Sequence, residues 1–368
     1  MKSFEYGDGE LGKKEIMFAV PSMVIGIGIL SLPRLLANAT NFYDGAIALL
    51  IGGALAILFT WIAANLSSRF PKKSFFSFTP LLVPKPIVFI LNVWLTIHFI
   101  FFVAYEIRAI GEIAEQYLFG RTPVEILSVT FLLVVVYSVS GSRVGILRLN
   151  LLFLPIICFI AVSIALMNIT YFEFQNLLPV FTTDWSGYVE GVKLSFFSFA
   201  GFEIVLFYVA LMNRPKQAAK FAAAGMGLAV GLYLIIFTTC IGVFTNDTTS
   251  TMVYPTIELA KEVEVPGGFF ERFESLFFTI WIMAIFNTTA MSLDIAIFSM
   301  GSLFRNMKKV TRILIISPLS YLICMFPQNI NEITSFGTLI SYSGGLVTIF
   351  IPSILLAIAK LRGIGKCE

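Results

Sequence analysis

A chain of 368 residues that is 58% hydrophobic and only 13% charged is not an ordinary soluble globule, because charged residues normally make up about a quarter of one. Its mean hydropathy of +0.89, together with 38 Phe and four Trp, fits a polytopic membrane protein with lipid-facing and interfacial aromatics. The formal net charge of +3, without a Lys/Arg cluster long enough to track phosphates, argues against nucleic acid as a partner.

The first fifteen residues are polar and mixed in charge and lack a signal-peptide cleavage site, so the first apolar segment is expected to insert and stay. That segment, near 15 to 37, carries Gly26-Ile27-Gly28-Ile29-Leu30-Ser31-Leu32-Pro33 at its middle. Two glycines and a proline in eight residues fit an opened helix facing protein or a cavity. They also fit a small-residue packing face on an unbroken one. An opened helix offers N–H groups at the start of its second half and C=O groups at the end of its first, suited to a carboxylate and a cation. A small zwitterion can be held at mid-membrane in this way.

Further apolar segments follow near 43 to 68, 84 to 117, 123 to 140, 146 to 168, 189 to 211, 221 to 244, 269 to 303, 311 to 326 and 334 to 359, ten in all. Six polar stretches, from Lys2 to Lys14, Arg69 to Lys85, Arg143 to Arg148, Arg214 to Lys220, Arg305 to Arg312 and Lys360 to Lys366, hold 19 of the 25 Lys and Arg. The opposite loops near 38 to 42, 169 to 188, 245 to 268 and 327 to 333 carry only Lys261. The positive-inside bias then makes the six basic stretches, and both termini, cytoplasmic. Five spans per half invert the second half relative to the first, as in many secondary transporters. The expected organisation is a single transmembrane domain, 1 to 368, of two repeats, about 15 to 168 and 189 to 359. The place matching Gly26 and Gly28 is the sixth segment, where Ser195-Phe196-Phe197-Ser198-Phe199-Ala200-Gly201-Phe202-Glu203 sets a glycine beside a carboxylate in mid-span. Interruptions at corresponding positions of two halves favour paired broken helices over packing alone.

The Gly-x-Gly stretch resembles the first-helix motif of the amino acid/polyamine/organocation (APC) transporter superfamily. Phe197 to Glu203, with Asn213-Arg214-Pro215-Lys216 beyond, is similar to its sixth-helix pattern. Asn176-Leu177-Leu178-Pro179-Val180-Phe181, Tyr254-Pro255-Thr256-Ile257-Glu258-Leu259 and Glu271-Arg272-Phe273-Glu274-Ser275-Leu276 narrow the resemblance to the endospore germination permeases, the B subunits of nutrient germinant receptors. It runs the whole chain. It implies an all-α, LeuT-like 5+5 inverted repeat with helices one and six broken, and a small nutrient such as an amino acid as ligand. It also implies receptor A and C subunits as partners and residence in the spore inner membrane.

The ligand-binding residues expected on this reading are Gly26, Ile27, Gly28 and Ile29 at the first break, and Phe197, Ser198, Phe199, Ala200, Gly201 and Glu203 at the second. Tyr105 joins them, being where LeuT-like proteins turn a side chain to the substrate, as does Trp281, which either closes the pocket or anchors at the interface. Thr288 and Thr289 offer hydroxyls where sodium-coupled relatives bind a cation, though hydroxyls often bond back to their own helix. Asp294 suits a structural bond between helices, and Arg108 pairs with Glu112 one turn on, beside Glu106. Lys193 can snorkel to the surface outside the site, and His98 reads as a neutral, hydrogen-bonded histidine. The four cysteines and single histidine give no disulfide framework or zinc site, so neither cofactor nor metal is implied. No serine–histidine, paired-aspartate or metal constellation suggests an enzyme. Residues 149 to 168 contain no lysine, whereas several proton-coupled members of the superfamily carry one on helix five. A nutrient-recognition subunit is the leading reading, and an autonomous cation-coupled amino-acid transporter its rival.

Overall fold

The computed structural model describes residues 10–263 and 273–365. The chain enters through α1 (Lys13–Val24) and α2 (Gly28–Ala39), which meet at a 54° bend. α3 (Asp44–Ser68), a short α4 (Phe75–Leu82), the long α5 (Lys85–Tyr117), α6 (Val124–Ser140) and α7 (Arg143–Met167) follow. α8 (Trp185–Ser198) and α9 (Phe202–Leu211) form a second bent pair, at 43°. α10 (Ala218–Thr251), α11 (Pro255–Lys261), α12 (Phe273–Leu303), α13 (Lys309–Cys324) and α14 (Ile330–Leu361, with a π-turn at Leu346–Phe350) complete the bundle. Six of these helices are long and apolar enough to cross a membrane, and the two bent pairs bring the number to eight. α6 and α13 are shorter, at 17 and 16 residues.

Each bend has a local cause. In the first, Pro21 lies inside α1, and Ile25 leaves the helical region with ψ 73° before Gly26. In the second, Gly201 sits at φ +119°, a conformation that a Cβ disfavours. Both interruptions lie inside the bundle. α1 packs on α7, α10 and α12, while α2 packs on α8, α10 and α11, so broken backbone meets protein. The outer faces of α5, α6, α7 and α13 expose Phe89, Ile90, Leu133, Phe159 and Leu322. Such a belt is stable only against lipid.

The loops gather into two groups. At one end Leu11 N donates to Leu211 O (2.7 Å) and Asn213 N to Leu11 O (2.9 Å). There Lys72 meets Glu10 (3.3 Å), Arg362 donates to Leu82 O (3.0 Å) and Lys309 donates to Gly141 O (2.6 Å). At the other end Asp44 accepts the N–H groups of Phe181, Thr182 and Thr183 at 2.6 to 2.8 Å, and Asn246 donates to Ala37 O (3.2 Å). The described bonds thus join the basic stretches to one another and the loops of low positive charge to one another. The connection after α5 adds Arg121 to the second group. Asp184, the N-cap of α8, is held below the usual carboxylate range by the Ser186 hydroxyl and the Gly187 N–H.

Two boundaries differ from expectation. The seventh helix continues through Thr251 past a kink at Thr245 (φ +68°), and α11 occupies part of what reads as an open loop. Thr and Ser residues there bond within their own turns, as Thr249 does to Thr245 O (2.6 Å), which lets helix persist where hydropathy has already fallen. The expected start of the eighth segment, 269 to 272, lies outside the described residues.

Candidate functional site

Where α1 ends, its carbonyls would be unpaired by the helix itself. Side chains from two other helices take them, and further donors reach the break and the start of α2. Thr288 of α12 approaches Ser22 O (3.1 Å) and Met23 O (3.3 Å) as well as Ala284 O of its own helix (3.2 Å). Tyr233 of α10 donates to Val24 O (2.9 Å) and also lies 3.4 Å from Ser198 O, so one hydroxyl touches both breaks. Trp281 Nε1 donates to Gly26 O (3.1 Å), and Thr256 of α11 donates to Ile29 O (2.8 Å). The end of the first half-helix, expected to be open to a cation, is therefore engaged by hydroxyl and indole donors. Thr289 bonds back to Ile285 O (2.7 Å) on its own helix. Among the described residues no three His, Cys, Asp or Glu converge as a metal site.

The start of α2 is different: its N-cap is Ile27, and no side chain caps it. Ile27, Gly28 and Ser31 instead border a partly open cavity of about 350 Å³ between the two breaks. That volume is at the lower end of the range for small-molecule sites, about 300–1,000 Å³. Of the expected residues, Gly26, Ile27, Gly28, Tyr105, Phe197, Ser198 and Ala200 line it. Ile29, Phe199, Gly201, Glu203 and Trp281 lie behind this wall as buried packing or as partners of the breaks. Phe199 packs against Tyr233, their rings tilted at 54° with centroids 4.8 Å apart, and Trp281 is fully buried under Gly26.

Glu203 binds the second break together. Its Oε2 accepts the Gly201 N–H (2.9 Å), while Oε1 lies 3.5 Å from His98 Nε2 on α5. His98 Nδ1 is 2.6 Å from Ser343 Oγ, immediately before the Gly344–Gly345 pair and the π-turn of α14. Through His98 of α5, the second break and the irregular stretch of α14 thus lie along one line of polar atoms.

The cavity also holds groups that the sequence reading leaves outside the site. Glu106 lines it, is only 3% exposed, and has no hydrogen-bond partner for Oε2. A methyl group built on Gly26 would stand 3.5 Å from that oxygen, so the carboxyl sits directly at the first break. Arg108 pairs with Glu112 (3.3 Å) as expected, leaving Glu106 the unexplained charge of α5. An ionisable group inside a span without a partner is a functional candidate by default, and this was the available signal. Lys193 lines the cavity beside Glu190 (3.1 Å) and over the Tyr342 ring (5.4 Å), and with its side chain 38% exposed it reaches the surface from the cavity's rim. Arg34 lines it too. Thr334, Gly337, Thr338 and Ser341 of α14 form the remaining polar face, a spacing of three and four that keeps them on one side of a helix. Asp294 lies outside the site, bonding Arg143 (2.7 Å) and Tyr208 (2.9 Å) between helices as expected.

Two interrupted spans around a central cavity define the fold of the solute transporters that bind ligand between broken helices. MhsT in complex with L-phenylalanine superposes with TM-score 0.71 at 14% identity, covering 95% of this chain and 89% of that one. Mhp1, a nucleobase-cation-symport-1 family transporter, superposes with TM-score 0.67 at 15% identity, covering 99% and 81%. At these identities the likeness is one of fold. The family model described as "Spore germination protein" matches residues 10–333, and the chain belongs to this family of spore germination permeases. Spore germination protein GerLB of Bacillus cereus is 44% identical over 98% of this chain and 97% of its own length. YndE of Bacillus subtilis (strain 168) is 31% identical over 93% and 94%. The protein is a multi-pass, transporter-like membrane protein and not an enzyme.

Proposed function

We propose that this chain is the ligand-recognition subunit of a spore germinant receptor, taking a small zwitterion such as an amino acid between the two breaks. The observation that carries this is the buried Glu106 carboxyl, whose Oε2 has no hydrogen-bond partner, in the cavity beside the uncapped start of α2. A carboxylate suits an ammonium group, and the unpaired N–H groups of a helix start suit a carboxylate. The seven lining residues from Gly26 to Ala200 give the ligand its backbone contacts, Glu203 and Trp281 hold the breaks in shape, and the α14 face reads its side chain. Ten spans in two inverted repeats, with both termini cytoplasmic in the spore inner membrane, complete the reading, and it is supported by the two loop groups and the basic residues of one of them. A and C subunits receive the signal: a ligand that prefers one of two conformations by about 1–3 kcal/mol shifts the population that partners meet.

A thermal-shift screen of amino acids on the purified protein tests the site. At least one is expected to stabilise the wild type, with that effect lost in Glu106→Gln, which keeps the shape and removes the charge. Stabilisation of equal size in Glu106→Gln would move the ammonium contact elsewhere. The second reading, a cation-coupled transporter acting alone, is favoured by the transporter fold; Thr288 is its candidate cation residue.

A further inference from the structure

A second cavity lies at the end of the bundle that carries the basic stretches, between α4, the start of α5, and the junction of α12 with α13. Its volume is about 770 Å³, and its charged lining consists of Lys85, Arg305 and Arg312 with no acidic residue. Three cations gathered without an anion repel one another and are stable together only near water or a ligand anion. No carboxylate pairs with Lys85 or Arg305 among the described residues; the nearest acid along α12, Asp294, is engaged by Arg143 and Tyr208.

The arrangement is built rather than incidental. A Cβ on Gly301 would stand 1.8 Å from Arg312 Nη1, so a larger residue there would push the guanidinium from its present seat. Arg312 Nη1 is fixed by Ile297 O (3.0 Å), while its Nε is buried without a partner. The hydroxyls of Ser74 and Ser77, bonded to each other (2.8 Å), and of Ser302, which donates to Ser299 O (2.7 Å), also line the space. A fixed guanidinium with an unpartnered buried N–H, beside two further cations in an acid-free space, is the chemistry of a phosphate or sulfate site.

The wall identifies the kind of anion. Phe89 lines the cavity and is at the same time 61% exposed on the outer face of α5, flanked by exposed Ile87 and Ile90. An anion bound here has its polar part among cations and its remaining bulk against the lipid-facing belt. We infer that this cavity binds the phosphodiester headgroup of an anionic phospholipid, its acyl chains lying along Phe89 and its neighbours. Basic pockets between spanning helices are suited to such headgroups.

The test uses the full chain purified in detergent, with lipid retention read by native mass spectrometry and unfolding followed on titration of phosphatidylglycerol, phosphatidylcholine or inorganic phosphate. Phosphatidylglycerol is expected to be retained and to stabilise, and phosphatidylcholine to do neither. Lys85→Gln with Arg305→Gln should weaken phosphatidylglycerol retention roughly tenfold, and Ser302→Glu, which sets an acid among the cations, should act in the same direction. The control pair Lys72→Gln with Lys73→Gln removes the same charge from the same end and should leave retention unchanged. Equal retention of both lipids, an equal loss in the control pair, or unaltered retention in both cavity variants would overturn the inference. Stabilisation by inorganic phosphate equal to that by phosphatidylglycerol would also overturn it, in favour of a soluble anion.

Discussion

Gly28→Ala probes the contact that joins the two breaks. The added methyl would lie 2.9 Å from the Tyr233 hydroxyl and 3.1 Å from Ser198 O. Both are closer than ordinary van der Waals contact, and Tyr233 is 1% exposed with no free space to retreat into. Overpacking at a fitted site costs about 1–3 kcal/mol. Displacing the hydroxyl from Val24 O, 2.9 Å away, adds the roughly 1 kcal/mol of a neutral hydrogen bond, for about 2–4 kcal/mol in all. Tyr233→Phe alone should cost about 1–2 kcal/mol, because Val24 O loses its donor while the ring packing remains. In the Phe background the hydroxyl is absent, so Gly28→Ala meets only Ser198 O and should cost about 1 kcal/mol. The double-mutant cycle, read from unfolding of the four purified proteins in one detergent, should therefore show a coupling of about 1–3 kcal/mol. Equal penalties for Gly28→Ala in both backgrounds would refute the idea that Tyr233 and Gly28 share one tightly fitted junction.

Glu203→Ala leaves the Gly201 N–H and His98 without their buried partner, a loss of about 1–3 kcal/mol; Glu203→Gln keeps an acceptor for Gly201 and should cost less in thermal stability. Equal stability of Glu203→Ala and wild type would return the residue to simple packing. For the topology, single cysteines at Ser74, Ser142 and Asn213 should be shielded from an impermeant thiol reagent in intact cells, whereas cysteines at Asn41, Thr183 and Asn329 should react. The reverse pattern would invert the assignment of the two loop groups.

The broken helices were legible because glycine and proline inside an apolar span have few explanations. Both breaks occur where Gly26 and Gly201 suggest, and the loop groups follow the basic residues. What pairs with what was not legible. Tyr233, Trp281 and Thr288 come from helices far away in sequence, and only the packed bundle shows that they occupy the carbonyls at the end of α1 and in the first break. Glu106 was hidden by a sound local argument: Arg108 and Glu112 do pair, but that pair leaves the neighbouring acid unaccounted for. The α14 face was hidden for another reason. Small hydroxyl residues scarcely alter a hydropathy profile, so Thr334, Thr338 and Ser341 read as ordinary span. α11 followed from neither periodicity nor hydropathy, since seven residues are too few to establish either.

The distinction between recognition and autonomous transport is reached most directly with the isolated protein in liposomes, using inward sodium or proton gradients and a labelled amino acid already seen to bind. A recognition subunit binds this ligand at the breaks but does not accumulate it against its gradient, because coupled uptake needs an ion site and the carbonyls at the end of α1 and in the first break are engaged by Thr288, Tyr233 and Trp281. Saturable binding without concentrative uptake under either gradient is the predicted result. Gradient-driven accumulation by this chain alone would contradict the account and establish a transporter.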